Sequence, residues 1–229
     1  MRVRRAEAAL RLPHRPAIDI RPLHGLRLRT PRLELRLPTP GELAALARLA
    51  EQGVHDPAAM PFRVPWTDGI GTPSFEADFT AFHLGLRGSW RTDDWHLVLG
   101  VWARETPVGS HGLAARGFAA ERTVETGSWL GLRHQRRGYG TEMRTAMLAL
   151  AFDGLGAETA TSGVIAGNEA SARVSAKLAY EPAGEGIVAP RGEPVRELYF
   201  RLTRERWLQL EHAPVEIEGL EPCLPLFGL

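Results

Sequence analysis

Leu33, Leu35 and Leu37 alternate with Glu34 and Arg36, a two-residue period that turns one face of a strand toward a core, and Pro38 ends it. A helix is predicted at once: Thr39 as its cap, Pro40 at the first helical position, Glu42 able to reach back to the cap amide, then a stripe of Leu43, Leu46, Ala47 and Ala50. Gly53 to Gly71 carries three prolines and no clean period. It reads as a long loop, and long loops inside compact domains are often binding elements or lids. A second helix opens at Thr72-Pro73, with Phe75, Phe79, Phe82 and Leu86 expected on one face.

The pattern then changes to strands. Trp95 to Val101 and Val108 to Ala114 flank the turn signal Arg104-Glu105-Thr106-Pro107 and predict a hairpin. From Arg122 to Leu132, Val124, Thr126, Ser128, Leu130 and Leu132 share one side of a strand, and Glu125, Gly127, Trp129 and Gly131 the other. Tyr139, Met143, Met147 and Leu150 give Gly138 to Phe152 a helical spacing that Gly154 to Gly156 ends. Thr159 to Ala166 reads as a strand, Asn168 to Leu178 as a short helix, and Val195 to Leu202 as the last core strand before a helix around Trp207. No internal repeat or linker divides the chain.

Composition narrows the function. The 229 residues, 44% hydrophobic and 24% charged, suit one generous globular domain. A net charge of +1 provides no uniform field for a polyanion, so no nucleic-acid partner is expected. No run of about eighteen apolar residues spans a bilayer. Met1 to Gly25 lacks the apolar core and cleavage site of a secretory signal and reads as a partly ordered arm. Cys223 is the single cysteine, which excludes an internal disulfide and a cysteine-rich zinc site; a cytoplasmic location and no metal are expected. Of the 28 basic residues only Lys177 is a lysine, as coding bias alone would produce.

Chemistry concentrates between Glu125 and Tyr180. Gln135-Arg136-Arg137-Gly138-Tyr139-Gly140 joins a strand to a helix, where glycines let a ligand approach the backbone and free amides plus the helix dipole suit a pyrophosphate. In this composition such a spacing arises on the order of once by chance, so context decides. Here a strand precedes it, a helix follows, and Asn168-x-x-Ser171 opens the next helix but one strand away. A P-loop is excluded because Lys177 follows Ala176 rather than a glycine. A dinucleotide fingerprint fails at Met143, and no Gly-x-Ser-x-Gly elbow of a serine hydrolase occurs.

In these residues the sequence resembles the GCN5-related N-acetyltransferase (GNAT) superfamily, in its RimJ/RimL-like branch that includes ribosomal-protein N-terminal acetyltransferases. The resemblance runs from about Leu28 to Thr203. Glu125-Thr126-Gly127-Ser128-Trp129-Leu130 looks like the family's fourth strand, Gln135 to Gly140 like its pyrophosphate loop, Asn168 to Ser171 like its Asn-x-x-Ser, and Lys177-Leu178-Ala179-Tyr180 like its Lys-Leu-Gly-Phe. His55-Asp56-Pro57 and Pro225-Leu226-Phe227-Gly228 resemble an actinobacterial subgroup with succinyl-CoA-using members. The resemblance implies a mixed α/β fold, a twisted, mostly antiparallel sheet flanked by helices and splayed between strands four and five to admit acyl-CoA. The chain then divides into an arm over 1–27, the acyltransferase domain over 28–210 and an extension over 211–229.

The implied reaction passes an acetyl or succinyl group from acetyl-CoA or succinyl-CoA to a primary amine by direct attack, with no nucleophilic cysteine near the motifs. Only a neutral amine attacks, yet lysine amines have a pKa of about 10.4 and α-amines of about 8, so a base is needed. Glu125 is the candidate, a cross-strand ion pair its alternative role. A backbone amide between Leu130 and Leu132 would meet the carbonyl oxygen. Where many family members place a tyrosine for the departing thiolate this chain has Ser175; Ser171 is the stronger candidate, with Asn168 beside it as a cofactor contact or simple helix cap. Arg136, Arg137 and the amides through Tyr139, Gly140 and Thr141 would hold phosphates, or the arginines are plain surface. His55, Arg63 and Trp66 would wall the acceptor and acyl end, with Phe62 nearby read as packing. A non-catalytic acyl-CoA-binding regulatory module is the alternative function, and the apolar tail from Val215 to Leu229 suggests a homodimer.

Overall fold

The computed structural model describes residues 18–229, so most of the expected N-terminal arm lies outside the described residues. In chain order the elements are β1 (Arg27–Arg29), β2 (Glu34–Arg36), α1 (Pro40–Glu51), α2 (Phe75–Gly88), β3 (Asp94–Ala103), β4 (Thr106–Arg116), α3 (Phe118–Glu121) and β5 (Thr123–Leu130). There follow α4 (Tyr139–Ala149), β6 (Thr159–Ile165), α5 (Glu169–Lys177), β7 (Glu181–Val188), β8 (Val195–Thr203), α6 (Arg204–Gln209) and β9 (Glu216–Glu218). The sheet runs β7-β8-β6-β5-β4-β3-β2-β1-β9. Its one parallel pair is β5 with β6, and the others are antiparallel.

Local chemistry explains where the elements begin. Thr39 Oγ1 accepts from the Glu42 amide while the Glu42 carboxylate accepts from the Thr39 amide at 2.8 Å, the reciprocal cap read from the sequence, worth about 1 kcal/mol. The β3–β4 hairpin turns through Arg104, held at a φ of 55°. The expected face of α2 is corrected in one place: His83 is buried beside Phe75 and Phe79, whereas Phe82 is 60% exposed. Position 83 follows Phe79 by four, nearer the 3.6-residue period than position 82. After α4 the helix widens into one π turn over Leu150–Gly154.

Apolar faces of β2, β3 and β4 meet α4 in a core that includes Leu35, Leu97, Leu99, Met147 and Phe152. A smaller cluster under α1 and α2 holds Leu43, Leu46, Phe79 and Trp102. Burying each such side chain stabilises the fold by about 1.5–3 kcal/mol. Three strands escaped the sequence reading: β1, which begins at the last residue of the expected arm, then β7, and the three-residue β9. The last of these follows the supposed last core strand and pairs with β1. The tail then returns to its own domain: Cys223, Leu226 and Phe227 are buried, Phe227 meets the Trp95 ring edge-on at 4.9 Å, and Trp90 Nε1 donates to the Leu226 carbonyl at 2.9 Å. The hydrophobic argument for a tail-mediated dimer is thereby withdrawn, because that surface is not left in water.

Candidate active site

Pairing between β5 and β6 runs from Thr123 to Thr126 against Thr159 to Ser162 and stops, so Gly127 to Leu130 diverge from β6. On the other side of β5, the Gly131 amide donates to the Val108 carbonyl, which makes Gly109 and Leu130 a non-hydrogen-bonded pair. Alternation then turns the Leu130 N–H away from β4, into the opening. The Leu130 carbonyl accepts from Gln135 Nε2 at 3.0 Å. Of the three amides considered for an oxyanion, Leu130 therefore faces the gap, while Gly131 and Leu132 are spent on Val108 and Gly53.

The opening is part of a cavity of about 600 Å³. One end is the turn into α4. Arg136 and Gly138 adopt left-handed φ values of 57° and 84°, and the first amides of α4 have no partner within the helix. A Cβ at Gly140 would rest at ordinary distance from Val174 and Leu130, so the absent side chain leaves helix, helix and strand closely packed around the turn. Gln135, Arg136, Gly138, Gly140 and Thr141 line the cavity. Arg137 and Tyr139 do not; the Arg137 carbonyl accepts from Arg32 Nη1, and the Arg32 guanidinium lies 5.0 Å from the Tyr139 ring centre. Gln135 also donates to the Val54 carbonyl at 2.7 Å, so its side chain is a brace between loop and strand.

Along α5, Asn168 and Ser171 line the cavity, and Asn168 Oδ1 accepts from the Ser171 amide at 3.2 Å. Cap and cavity roles coexist at Asn168. Ser175 is a correction: it is fully buried, accepts from Arg144 Nη1 at 2.9 Å, and lies outside the cavity lining. Arg173, Val174 and Lys177, missed in the sequence, also line it. Their signal was present, since steps of three and four from Ala170 reach Arg173 and Val174, and a further step reaches Lys177. Burial weakens the Arg144 charge and holds its pKa below the ordinary guanidinium range, and burial pushes the Tyr180 phenol up.

The opposite end lies under the Gly53 to Gly71 loop. Arg63 bridges two carboxylates, Nη1 to Glu125 Oε1 at 2.8 Å and Nε to Glu197 Oε1 at 2.6 Å. Burial works against the Arg63 charge, but the Glu197 hydrogen bond and the nearby Glu125 outweigh it and raise its pKa. Glu125 is thus an ion-pair partner, though of a loop arginine rather than a neighbouring strand, and half of its side chain remains exposed. His55 lines the cavity with both ring nitrogens engaged, by the Asp56 carbonyl at 2.8 Å and Thr67 Oγ1 at 2.7 Å. The roles expected of two aromatics are exchanged: Phe62 lines the cavity, whereas Trp66 packs among Phe75, Phe79 and Trp129. Leu132 stands 47% exposed outside the lining. Glu197 had no local signal, being one charged residue on an ordinary strand.

Among the described residues no group of three His, Cys, Asp or Glu could hold a metal, and no helix is long and apolar enough to cross a membrane. Residues 32–181 match the acetyltransferase (GNAT) domain family, and the chain belongs to it. The Mycobacterium smegmatis RimJ in complex with CoA-disulfide superposes with a TM-score of 0.65 at 17% identity, covering 89% of this chain and 95% of that one. The ribosomal-protein-S5-alanine acetyltransferase of Vibrio fischeri gives 0.62 at 14% identity, covering 79% and 98%. The microcin C7 self-immunity acetyltransferase MccE, in complex with acetyl-CoA and AMP, gives 0.59 at 15%, covering 76% and 93%. At these identities the likeness is one of fold: a mixed α/β, mostly antiparallel open sheet flanked by helices.

Proposed function

We propose that the protein is an acyl-CoA-dependent N-acyltransferase that uses acetyl-CoA and a primary amine in a ternary complex. The observation that carries this reading is that one cavity joins the α4 turn, the diverging end of β5 and the Glu125 carboxylate. The residues fit such a donor. First-turn amides of α4 with Arg136, Arg173 and Lys177 would hold its phosphates, and Asn168 and the β5 edge its arm. When bound, acyl-CoA supplies a thioester carbonyl. The Leu130 N–H would donate to the carbonyl oxygen, and Ser171 Oγ to the departing sulfur. Glu125, once released from Arg63, would take the proton of the amine. Two of the solved relatives are complexes with CoA-disulfide and with acetyl-CoA, which supports the donor class.

Acetyl is favoured over succinyl because a solved relative is a complex with acetyl-CoA and both ring nitrogens of His55, one of the two residues that would grip a second carboxylate, are engaged within the loop. The V. fischeri relative is named for an alanine acceptor, in accord with an α-amine, while the site itself specifies only a primary amine. The test is CoA release from acetyl-CoA across a panel of amines. Amine-dependent release is expected, and Glu125→Gln should lower kcat about 10²- to 10⁴-fold with acetyl-CoA affinity unchanged. Binding without release by any amine would instead favour a regulatory acyl-CoA module.

A further inference from the structure

Glu197 lies deep in β8, its side chain 2% exposed, yet it lines the cavity at the end where the amine must approach. Oε1 accepts from Arg63, and Oε2 is buried with no hydrogen-bond partner. An unpartnered buried carboxylate oxygen destabilises the empty protein, and a ligand that donates to it relieves that penalty. Glu125 stands on the same sheet face, since Glu125 pairs with Thr161, and Gly163 and Ile165 follow on β6 opposite Tyr199 and Glu197. Two carboxylates therefore share one guanidinium among the side chains that line this end. The remaining cationic side chains of the lining, Arg136, Arg144, Arg173 and Lys177, belong to the α4 turn, α4 and α5.

The floor is shaped for this pair. A Cβ at Gly163 would collide with Glu197 Oε1 and stand 2.7 Å from Arg63 Nη2. The Tyr199 ring lies 5.9 Å from the Arg63 guanidinium carbon, an aromatic face beside a cation. Arg63 itself is 45% exposed, and its loop is pinned separately by Arg191, which binds Asp68 and the Pro57 carbonyl. The side chain can therefore leave while the loop stays.

Resting on the N-acyltransferase reading, we propose that Glu197 recognises the acceptor: its carboxylate seats the acceptor's ammonium group, and Arg63 occupies that seat in the empty protein. The amine enters as a cation, displaces the guanidinium, completes the Glu197 hydrogen bonds and frees Glu125 to take the proton. The acceptor class is thus a protonated primary amine, and neutral amides or alcohols of the same shape are discriminated against by charge.

The test uses the full chain saturated with desulfo-CoA, which cannot react, and follows n-butylammonium and n-butanol by ligand-observed NMR. The wild type should bind the cation at least tenfold more tightly than the alcohol. Glu197→Gln should bring the two within about twofold, and Arg63→Met, by vacating the seat, should tighten the cation about tenfold further. Equal affinities in the wild type, or a preference that survives Glu197→Gln, overturns the proposal. Should Glu197→Gln fail to fold, Arg63→Met decides, because a merely structural ion pair predicts no gain in cation affinity. Desulfo-CoA binding is read in the same samples: its failure refutes the acyltransferase reading, whereas loss of cation preference with desulfo-CoA bound refutes only the role of Glu197.

Discussion

Arg144 donates to Ser175 Oγ at 2.9 Å across the contact of α4 and α5, both residues buried and the Arg144 Nε without a partner. This bond separates the two serines that the sequence could not. Ser175→Ala leaves a buried guanidinium with less of its hydrogen bonding and should lower stability by about 2 kcal/mol, with kcat nearly that of the wild type. Ser171→Ala should do the opposite, leaving the thermal midpoint in place and lowering kcat about tenfold or more. Thermal unfolding beside acetyl-CoA turnover checks both, and an intact midpoint in Ser175→Ala would contradict the assignment.

The turn into α4 makes a second distinction. Gly138 sits at a φ of 84° with Arg32 Nη2 3.0 Å from where its Cβ would be, so Gly138→Asp combines backbone strain with a crowded guanidinium. Gly140 is helical with room for a Cβ, so Gly140→Asp should fold. Its negative charge would nevertheless stand at the amides proposed for the pyrophosphate, and CoA affinity should fall at least 100-fold. Calorimetric titration with CoA checks this, and undiminished binding in a folded Gly140→Asp would place the phosphates elsewhere.

What the sequence carried and what it hid follow from how local each signal is. The cap at Thr39, the alternation of β5 and the glycine turn before α4 depend on residues within one or two turns of one another, and the structure has all three. β7 carries Gly184 and Gly186 and pairs with register irregularity near Pro182, so no alternation marks it. β9 is three residues long and exists by pairing with β1, far back in the chain. Glu197 is buried because Arg63 reaches it from 134 positions earlier, a partnership that no window of sequence contains. The same distance explains why Arg63 read as a wall of the acceptor and acyl end: its two acidic partners lie 62 and 134 positions away.

Three buried histidines set the acid side of the stability profile, His134 being held below its ordinary value by burial and then by the Arg133 and Arg137 charges. His111 is driven down to about 3 by burial and by the neighbouring Arg144 charge, and its Nε2 has no partner; His83 is driven down to about 4 by burial and then Arg87. Unfolded, each titrates near 6.5. As pH falls below that value the unfolded chain takes up protons that the fold refuses, so stability is lost downward from pH 6.5, by about 2 kcal/mol for each of His111 and His83 at pH 5. Urea unfolding at pH 7.5 and pH 5.0 should show at least the sum for His111 and His83, and His83→Leu should remove about 2 kcal/mol of the difference. A flat profile over that interval would mean that all three rings accept a proton within the fold.

The C-terminal tail provides the last test, because its role differs according to where its apolar side chains are buried. Phe227 is fully buried against Trp90 and Trp95, and Leu226 lends its carbonyl to Trp90 Nε1. Truncating such a ring leaves a cavity among aromatics that cannot collapse into it, so Phe227→Ala should destabilise the protein by about 3 to 5 kcal/mol. A tail that joined two copies would instead make stability depend on protein concentration, and its removal would change the mass in solution. Denaturant unfolding at two concentrations a hundredfold apart, with light scattering on the same samples, separates these outcomes. The midpoint of Phe227→Ala should drop equally at both concentrations with the mass of the assembly unchanged, since the ring is bound by Trp90 and Trp95 of its own chain. A concentration-dependent loss, or a halved mass, would assign the tail to an interface between copies.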